Sequence, residues 1–245
     1  MDSLRARFSA HWIALFVMAT GLFAMAAPSA RAQDSSQKLV PRLETGPLID
    51  ALRAGGYTIL FRHAATQSFN PDLTAFDPDD CSTQRNLSAL GRRQAEQIGA
   101  SFRKLGIKVG EVLSSPYCRC MDTGALAFGA DAVETSGTLL VGDSEREAGK
   151  DDPGIAIRRL LDTPPAPGAN TVLIAHSVTL LYAFGLTSRP EGIAHVFRPS
   201  GLGLGQPVYM GMVTPAQWPA YAGIDAPDAA SDAPLPSPGA NPGSP

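Results

Sequence analysis

The sequence predicts an α/β fold, a three-layer sandwich built around a mostly parallel central sheet. Short apolar runs occur at 57–61, 107–113 and 171–175, and each is typical of a buried strand. Further along the chain, each run is followed by a segment whose apolar residues recur at helical spacing. Alternating strands and helices are typical of parallel sheets covered by helices, with right-handed crossovers between the strands.

The start of the 245-residue chain predicts export. Residues 1–32 contain two arginines near the beginning, then an apolar run, then a small-x-small site at 30–32. This order is typical of a cleaved secretory signal peptide. A transmembrane anchor is the alternative, but an anchor needs about 20 apolar residues and this run is shorter. We therefore expect a periplasmic or secreted protein that is not held at a membrane after cleavage.

The rest of the chain divides by composition into three parts. Residues 33–45 are polar and expected to be loose, and 46–222 carry the predicted helices and strands. Residues 223–245 are dominated by Ala, Pro, Asp, Ser and Gly, which predicts a disordered tail. The formal net charge of −3 provides no basic surface, so a nucleic-acid partner is disfavoured.

The predicted helices share polar caps or glycine ends and an apolar face. They cover 48–55, 88–106, a segment from Ser115, 155–161 and 178–186, with a last turn near Trp218 and Tyr221. Ser115 is the predicted cap of the third helix, and Pro116 is its first residue. We expect a short strand or extended loop at 138–141. An antiparallel edge pair is expected at 193–197 and 208–213.

The long connection at 66–85 is either a functional loop or a plain solvated excursion. It contains Cys81, and an oxidising compartment favours a disulfide. The other cysteines, Cys118 and Cys120, stand two apart on a predicted helix and do not face each other. The bridge is therefore expected to join Cys81 to one of them, and we favour Cys118. Zinc is the alternative, but three cysteines without a fourth ligand make a poor zinc site, so we expect no metal.

Cationic or basic side chains stand where three predicted strands end. Arg62 and His63 follow the first strand, Arg119 lies in the first turn of the helix after the second, and His176 follows the third. Ligands bind at the carboxyl ends of strands in open α/β sheets, and helix N-termini attract anions. One strand-end histidine is usually structural, but three such ends together predict a site for a dianion such as a phosphoryl group. His195 lies inside a predicted strand, and we interpret it as structural.

Two guanidiniums and two imidazoles suit phosphoryl transfer. Arginine offers bidentate, permanently charged recognition of phosphate oxygens. A neutral His63, whose tautomer is fixed by a hydrogen bond from its other ring nitrogen, can attack phosphorus in line. Arg62, Arg119 and His176 would then hold the equatorial oxygens. A separate acid must protonate the leaving oxygen.

Four motifs together resemble a known family. They are Arg62-His63-x-x-Thr66, Leu87-Ser-x-x-Gly91-x-x-Gln94-Ala95, Ser115-Pro116-x-x-Arg119 and Ala175-His176. In this order and spacing they resemble the histidine phosphatase superfamily, and especially its small phosphoglycerate mutase-like and SixA-like members. The resemblance spans about 57–184.

The resemblance implies a phosphoglycerate mutase-like fold and a phosphohistidine intermediate on His63, with no metal or other cofactor. It also implies that Arg62, Arg119 and His176 complete the phosphate pocket. Thr66 matches the small hydroxyl residue of the first motif, which makes it a predicted substrate-binding residue.

The sequence departs from the family pattern at Ala64, where most members have Gly. The proton donor is also open. Glu145 is the favoured acid, and Asp143, Glu147 and Glu191 are the alternatives. Some small relatives lack an evident donor, which favours substrates with good leaving groups.

We therefore predict a phosphoric monoester hydrolase of the histidine acid phosphatase type that acts on a small phosphorylated substrate without a metal. A mutase and a protein-phosphohistidine phosphatase are alternatives, but both usually need cytoplasmic substrates. A non-catalytic phosphate- or phosphosugar-binding protein is the alternative from another class. It would retain the pocket and lack the acid.

Overall fold

The computed structural model describes residues 39–67, 77, 80–140 and 152–225. Several predictions lie outside these ranges: the signal peptide at 1–32, residues 33–38 of the segment 33–45, nearly all of the tail at 223–245, and the candidate acids Asp143, Glu145 and Glu147. Among the described residues, no helix has the length and apolar character needed to cross a bilayer, and no group of three metal-ligating side chains is gathered around one point.

A six-stranded mixed sheet forms the centre of the described part. Its strands are β1 (Thr58–Arg62), β2 (Val109–Ser114), β3 (Val133–Thr135), β4 (Asn170–Ala175), β5 (Ala194–Arg198) and β6 (Val208–Val213). Their order across the sheet is β3-β2-β4-β1-β5-β6. The pairs among β1 to β4 are parallel, and β5 runs antiparallel to β1 and β6. The predicted α/β class with a mostly parallel sheet is confirmed.

Helices cover both faces of this sheet. They are α1 (Thr45–Ala54), α2 (Ala89–Leu105), α3 (Cys118–Phe128), α4 (Pro153–Leu161), α5 (Ser177–Phe184) and α6 (Gln217–Ala222). Successive strand residues point to opposite faces. Ile59 and Phe61 pack in one cluster with apolar residues of α1, α2, α3 and α6, whereas Leu60 packs in a second cluster with α4 and α5. The result is the predicted three-layer arrangement.

The prediction at 138–141 is wrong over the described residues. Gly137–Leu139 form a short 3₁₀ turn that buries Leu139 completely, and the edge strand of this region is Val133–Thr135. A turn can bury a single apolar side chain as completely as a strand can, so the apolar residues at 138–141 did not distinguish the two. The real strand has only three residues, which is too short to show an alternating pattern.

The predicted start of α3 is also wrong, because the helix begins at Cys118 and not at Pro116. Ser115 does not cap the helix and instead contacts β4 and His176. Its backbone N–H donates to the carbonyl of Ile174 (2.9 Å), which continues the β2–β4 pairing for one more residue. Its hydroxyl contacts His176. The chain therefore turns into the helix two residues later than a capping rule would place it.

The register of the sheet places three strand ends side by side. β4 lies between β2 and β1, with Ser114 opposite Ile174 and Arg62 opposite Ala175. The chain leaves all three strands at the same edge. His63, which follows β1, still donates its backbone N–H to the carbonyl of Ala175 (2.9 Å). The segments after β1, β2 and β4 therefore start from one rim.

Candidate active site

A cavity of about 160 Å³ opens at the rim where β1, β2 and β4 end. The residues that line it are Arg62, His63, Arg85, Tyr117, Arg119, His176, Ser177 and Val178. Since a water molecule occupies about 30 Å³ of liquid, this cavity has the volume of about five waters. That is the scale of a phosphoryl group with a small part of its ester. All four residues predicted to surround the phosphate line the cavity.

The His63 ring has one defined tautomer. Its Nδ1 lies 2.9 Å from the carbonyl oxygen of Ala64. Because a carbonyl oxygen only accepts, Nδ1 carries the proton and Nε2 keeps its lone pair. The residue is 2% exposed, and burial is the main cause that lowers the pKa of His63 to about 4. The imidazole is thus uncharged near neutral pH, as a nucleophile must be.

The backbone after His63 is tied to the helix that carries Arg119. The N–H of Ala64 donates to the hydroxyl of Thr123 in α3 (3.0 Å). That hydroxyl in turn donates to the carbonyl of Arg119 (2.7 Å). One side chain therefore couples the position of the imidazole to the position of the second guanidinium.

The motif at 87–95 clamps the same backbone from another side. Ser88 caps α2 as predicted, accepting from the N–H of Gly91 (3.1 Å), and its own N–H donates to the carbonyl of Ala65 (3.0 Å). A Cβ at Gly91 would lie 1.8 Å from that carbonyl oxygen, so this close approach requires glycine. Gln94 accepts from the N–H of Ala65 (3.0 Å). The motif therefore positions the backbone at Ala65.

The second imidazole lies beside the first. The ring centroids of His63 and His176 are 5.6 Å apart in an edge-on arrangement. Nε2 of His176 lies 2.9 Å from the hydroxyl of Ser115, and the Tyr117 ring meets it edge-on at 4.8 Å. Burial, followed by the charge on Arg119, lowers the pKa of His176 well below its ordinary value. Both imidazoles are therefore neutral near neutral pH.

Arg119 lies at the start of α3 and is 5% exposed. Its guanidinium stacks over the ring of Tyr117 with 4.2 Å between the guanidinium carbon and the ring centroid. Nη1 donates to the backbone carbonyl of Arg85 (3.4 Å). Stacking on an aromatic face fixes the plane of a guanidinium, which prepares it for bidentate contact with an anion.

Arg62 is held by the segment 188–192. Nη1 donates to the carbonyl of Ser188 (3.0 Å), and Nη2 donates to the carboxylate of Glu191 (2.9 Å). Glu191 also accepts from the N–H and the hydroxyl of Thr66, at 2.9 Å each. Thr66, the predicted substrate-binding residue, thus directs both of its donors to Glu191.

Arg85 is a cavity residue that the sequence analysis missed. It follows a short 3₁₀ turn at Cys81–Thr83, and a disulfide joins Cys81 to Cys118 beside Arg119. This is the predicted cysteine pairing. The N–H of Cys118 donates to the side chain of Gln84 (2.8 Å), which ties the same segment to α3 again. The predicted bridge itself was the signal, since it implied that residues near 81 approach the start of α3.

Residues 58–138 match the family model of the histidine phosphatase superfamily (branch 1). This region, about a third of the chain, is therefore similar to the histidine phosphatase superfamily. It contains Arg62, His63 and Arg119, and the fold adds His176 from outside the matched range. No curated protein sequence matches the chain.

Solved structures that are similar to this chain include several phosphatases. The protein histidine phosphatase SixA complexed with tungstate has 14% identity over 65% of this chain and 97% of that chain (TM-score 0.46). A putative phosphohistidine phosphatase SixA from Agrobacterium tumefaciens has 19% identity over 65% and 97% (TM-score 0.42). Phosphoserine phosphatase from Entamoeba histolytica, in complex with 3-phosphoglyceric acid, has 15% identity over 64% and 96% (TM-score 0.43).

Among the described residues, the carboxylate that meets the predicted site is Glu191. Burial acts to raise its pKa, but hydrogen bonds from Thr66 and the charge on Arg62 oppose burial, and the pKa of Glu191 is lowered. Glu191 is therefore ionised near neutral pH and accepts hydrogen bonds there. The favoured proton donor, Glu145, lies outside the described residues.

Proposed function

We propose that this protein is a metal-independent phosphomonoesterase that forms a phosphohistidine on Nε2 of His63. The observation that carries this proposal is the state of the His63 ring. It is buried and neutral, and its Nδ1 proton is bound by the carbonyl of Ala64, so Nε2 is the nitrogen left for substrate. Three guanidiniums and a second neutral imidazole line the same cavity.

The reaction runs in two steps. In the first, Nε2 attacks phosphorus, so a P–N bond forms as the ester P–O bond breaks, and the departing oxygen takes a proton from a general acid, for which we propose Glu145. In the second, water attacks the phosphohistidine and gives a proton to the deprotonated acid, so a P–O bond forms as the P–N bond breaks, and inorganic phosphate leaves with the acid restored. Arg62 and Arg119 stabilise the charge on the phosphoryl oxygens in both steps.

We also propose that the enzyme works outside the cytoplasm. The disulfide between Cys81 and Cys118 forms part of the cavity's support and suits an oxidising compartment. Together with the N-terminal segment, it favours an exported phosphatase over a mutase or a protein-phosphohistidine phosphatase.

The test is an assay of the exported protein on p-nitrophenyl phosphate with EDTA present. We expect turnover by the wild type and a loss of at least about a thousandfold in kcat for His63→Ala, because the nucleophile is gone. Rapid quenching under alkaline conditions, followed by mass spectrometry, should locate a phosphoryl group on residue 63.

Activity that survives His63→Ala, or that needs added metal, would contradict the proposal. Tight phosphate binding without turnover of any ester would instead favour the non-catalytic binding protein. If the wild type turns over p-nitrophenyl phosphate, a panel of phosphoesters assayed with the same preparation would rank substrates by kcat/KM.

A further inference from the structure

Glu191 occupies a central place in the hydrogen bonding behind the cavity. Its two carboxylate oxygens accept from Arg62 and from both donors of Thr66, with all three distances at 2.9 Å. The next residue, Gly192, donates its N–H to the carbonyl of His63 (2.8 Å). One short segment thus contacts the cavity's first guanidinium, the loop after the nucleophile, and the nucleophile's own backbone.

This arrangement fixes Arg62 before any substrate binds. A free arginine side chain samples many rotamers, so holding it in one pose costs conformational entropy. Here Ser188 and Glu191 engage its two terminal nitrogens. Its Nε is buried and has no hydrogen-bond partner within the described part of the chain. Nη1 and Nη2 each carry a second N–H, and these are the donors that can serve a phosphoryl oxygen.

Glu191 also offsets positive charge close to the nucleophile. The side chains of Arg62 and Glu191 are 15% and 21% exposed, so their pair is only partly screened by water. The charged groups that act on His63 are Arg119 and Arg62, which disfavour a protonated ring, and Glu191, which favours it. Removing the carboxylate would leave the guanidiniums unopposed.

We propose that Glu191 is a positioning residue of the phosphatase site, which holds Arg62 in the pose that binds the transferred phosphoryl group. This inference rests on the proposed function for its catalytic meaning. It assigns no proton transfer to Glu191, which separates this role from that of the general acid.

A double-mutant cycle tests whether Glu191 acts through Arg62. The probe is tungstate, a phosphate analogue whose binding needs no turnover, titrated into the wild type, Glu191→Ala, Arg62→Ala and the double variant. We expect Glu191→Ala to weaken tungstate binding by about 10- to 100-fold, the range for loss of a charged hydrogen bond. The double variant should bind no more weakly than Arg62→Ala alone, because coupled residues are not additive.

Three further variants separate positioning from a general loss of structure. Glu191→Gln keeps one acceptor oxygen at this position and should recover part of the tungstate affinity. Glu96→Ala removes an exposed carboxylate from α2 and should match the wild type. Thr66→Val removes one of the hydrogen bonds to Glu191 and should have a smaller effect than Glu191→Ala. Thermal unfolding of each variant shows whether it is folded.

The pH dependence provides a readout that a purely structural role would not move. Loss of the carboxylate should shift the acid limb of kcat/KM to lower pH, since the guanidiniums then disfavour a charged His63 more strongly. Additive effects in the cycle, or unchanged tungstate affinity in a folded Glu191→Ala protein, would overturn the proposal. A wild type that binds tungstate without turnover would contradict the proposed phosphatase activity. The double-mutant cycle would still show whether Glu191 acts on anion binding through Arg62.

Discussion

His63 illustrates how one residue obtains its chemistry from two separate sources. The hydrogen bond to the Ala64 carbonyl selects the tautomer, and burial keeps the ring neutral. Two other histidines, His176 and His195, are also buried with lowered pKa values. His195 lies between the hydroxyls of Ser188 (3.0 Å) and Tyr209 (3.3 Å), which supports its interpretation as structural.

These histidines predict a stability that falls in acid. Burial lowers the pKa of both His63 and His195 to about 4, below the ordinary value of 6.5. Above pH 6.5 neither state takes up the protons. Between pH 6.5 and 4 the unfolded chain binds them and the folded chain does not, so the free energy of unfolding drops, by up to about 3 kcal/mol for each residue. Urea unfolding at pH 7, 5.5 and 4.5 measures this. A flat profile would contradict it.

The pH dependence of activity should also depend on the protonation of His63. Since His63 stays neutral down to about pH 4, kcat/KM should fall on the acid side with a midpoint near pH 4 and not near 6.5. The measurement is a pH series on p-nitrophenyl phosphate corrected for the ionisation of the substrate. A midpoint close to 6.5 would show that the ring is more solvated than the geometry indicates.

Arg85 gives a second prediction at the residue scale. Its charge lowers the pKa of both Arg62 and His176, so it stands within electrostatic reach of the cavity's centre. We expect Arg85→Gln to lower kcat/KM by about 10- to 100-fold, the range for a lost charged contact. Arg85→Lys should retain part of the rate. Arg53→Gln, a change at an exposed arginine of α1, is the matched control and should leave the rate unchanged.

At the scale of elements, the N-terminus of α2 sets the position of the loop after the nucleophile. Gly91 lies against the Ala65 carbonyl with no room for a side chain. Gly99, on the same helix, meets the carbonyl of Ala127 just as closely, at 2.0 Å from where a Cβ would stand. The first contact supports the catalytic loop and the second supports the packing of α2 on α3.

This pair of glycines allows a matched comparison. Gly91→Ala and Gly99→Ala should each lower the free energy of unfolding by about 1–3 kcal/mol, because overpacking forces the backbone to shift. Only Gly91→Ala should also lower kcat in the folded fraction, since its strain reaches the residues next to His63. Urea unfolding and steady-state kinetics separate the two effects. Equal kcat in both variants would show that the loop tolerates the displacement.

For the whole molecule, the disulfide connects two parts of the cavity wall that the sheet does not join. Cys81 and Cys118 are 37 residues apart, so the loop-closure relation predicts about 4 kcal/mol of stabilisation. The bridge also holds the segment of Arg85 against the start of α3. The protein is thus suited to oxidising conditions in both stability and function.

Reduction should therefore weaken both properties. We expect dithiothreitol, or the double variant Cys81→Ser/Cys118→Ser, to lower the unfolding midpoint and to raise KM for phosphoesters as the guanidiniums lose their support. The double variant also serves as the control, because dithiothreitol should have no further effect on it. A reduced enzyme with unchanged KM would place the bridge outside the function of the site.

Much of the fold was predictable because its signals are local. The apolar strands, the Ser88 cap and the glycine helix ends follow from residues within a few positions of one another. The two failures have different causes. β3 is too short for a pattern, and Ser115 had a tertiary partner that outweighed its capping preference.

The sequence by itself determined the α/β class, the meeting of Arg62, His63, Arg119 and His176 at one rim, and the cysteine pairing. Parallel strands send their carboxyl ends to one rim, so residues placed just after strands meet there without further information. Only the tertiary structure decided the roles of Glu191, Arg85 and Thr66. The contact of Arg62 with Glu191 joins residues 129 positions apart, and that of Thr66 joins residues 125 apart. Such pairs depend on how loops cross the finished sheet, which no short-range pattern records.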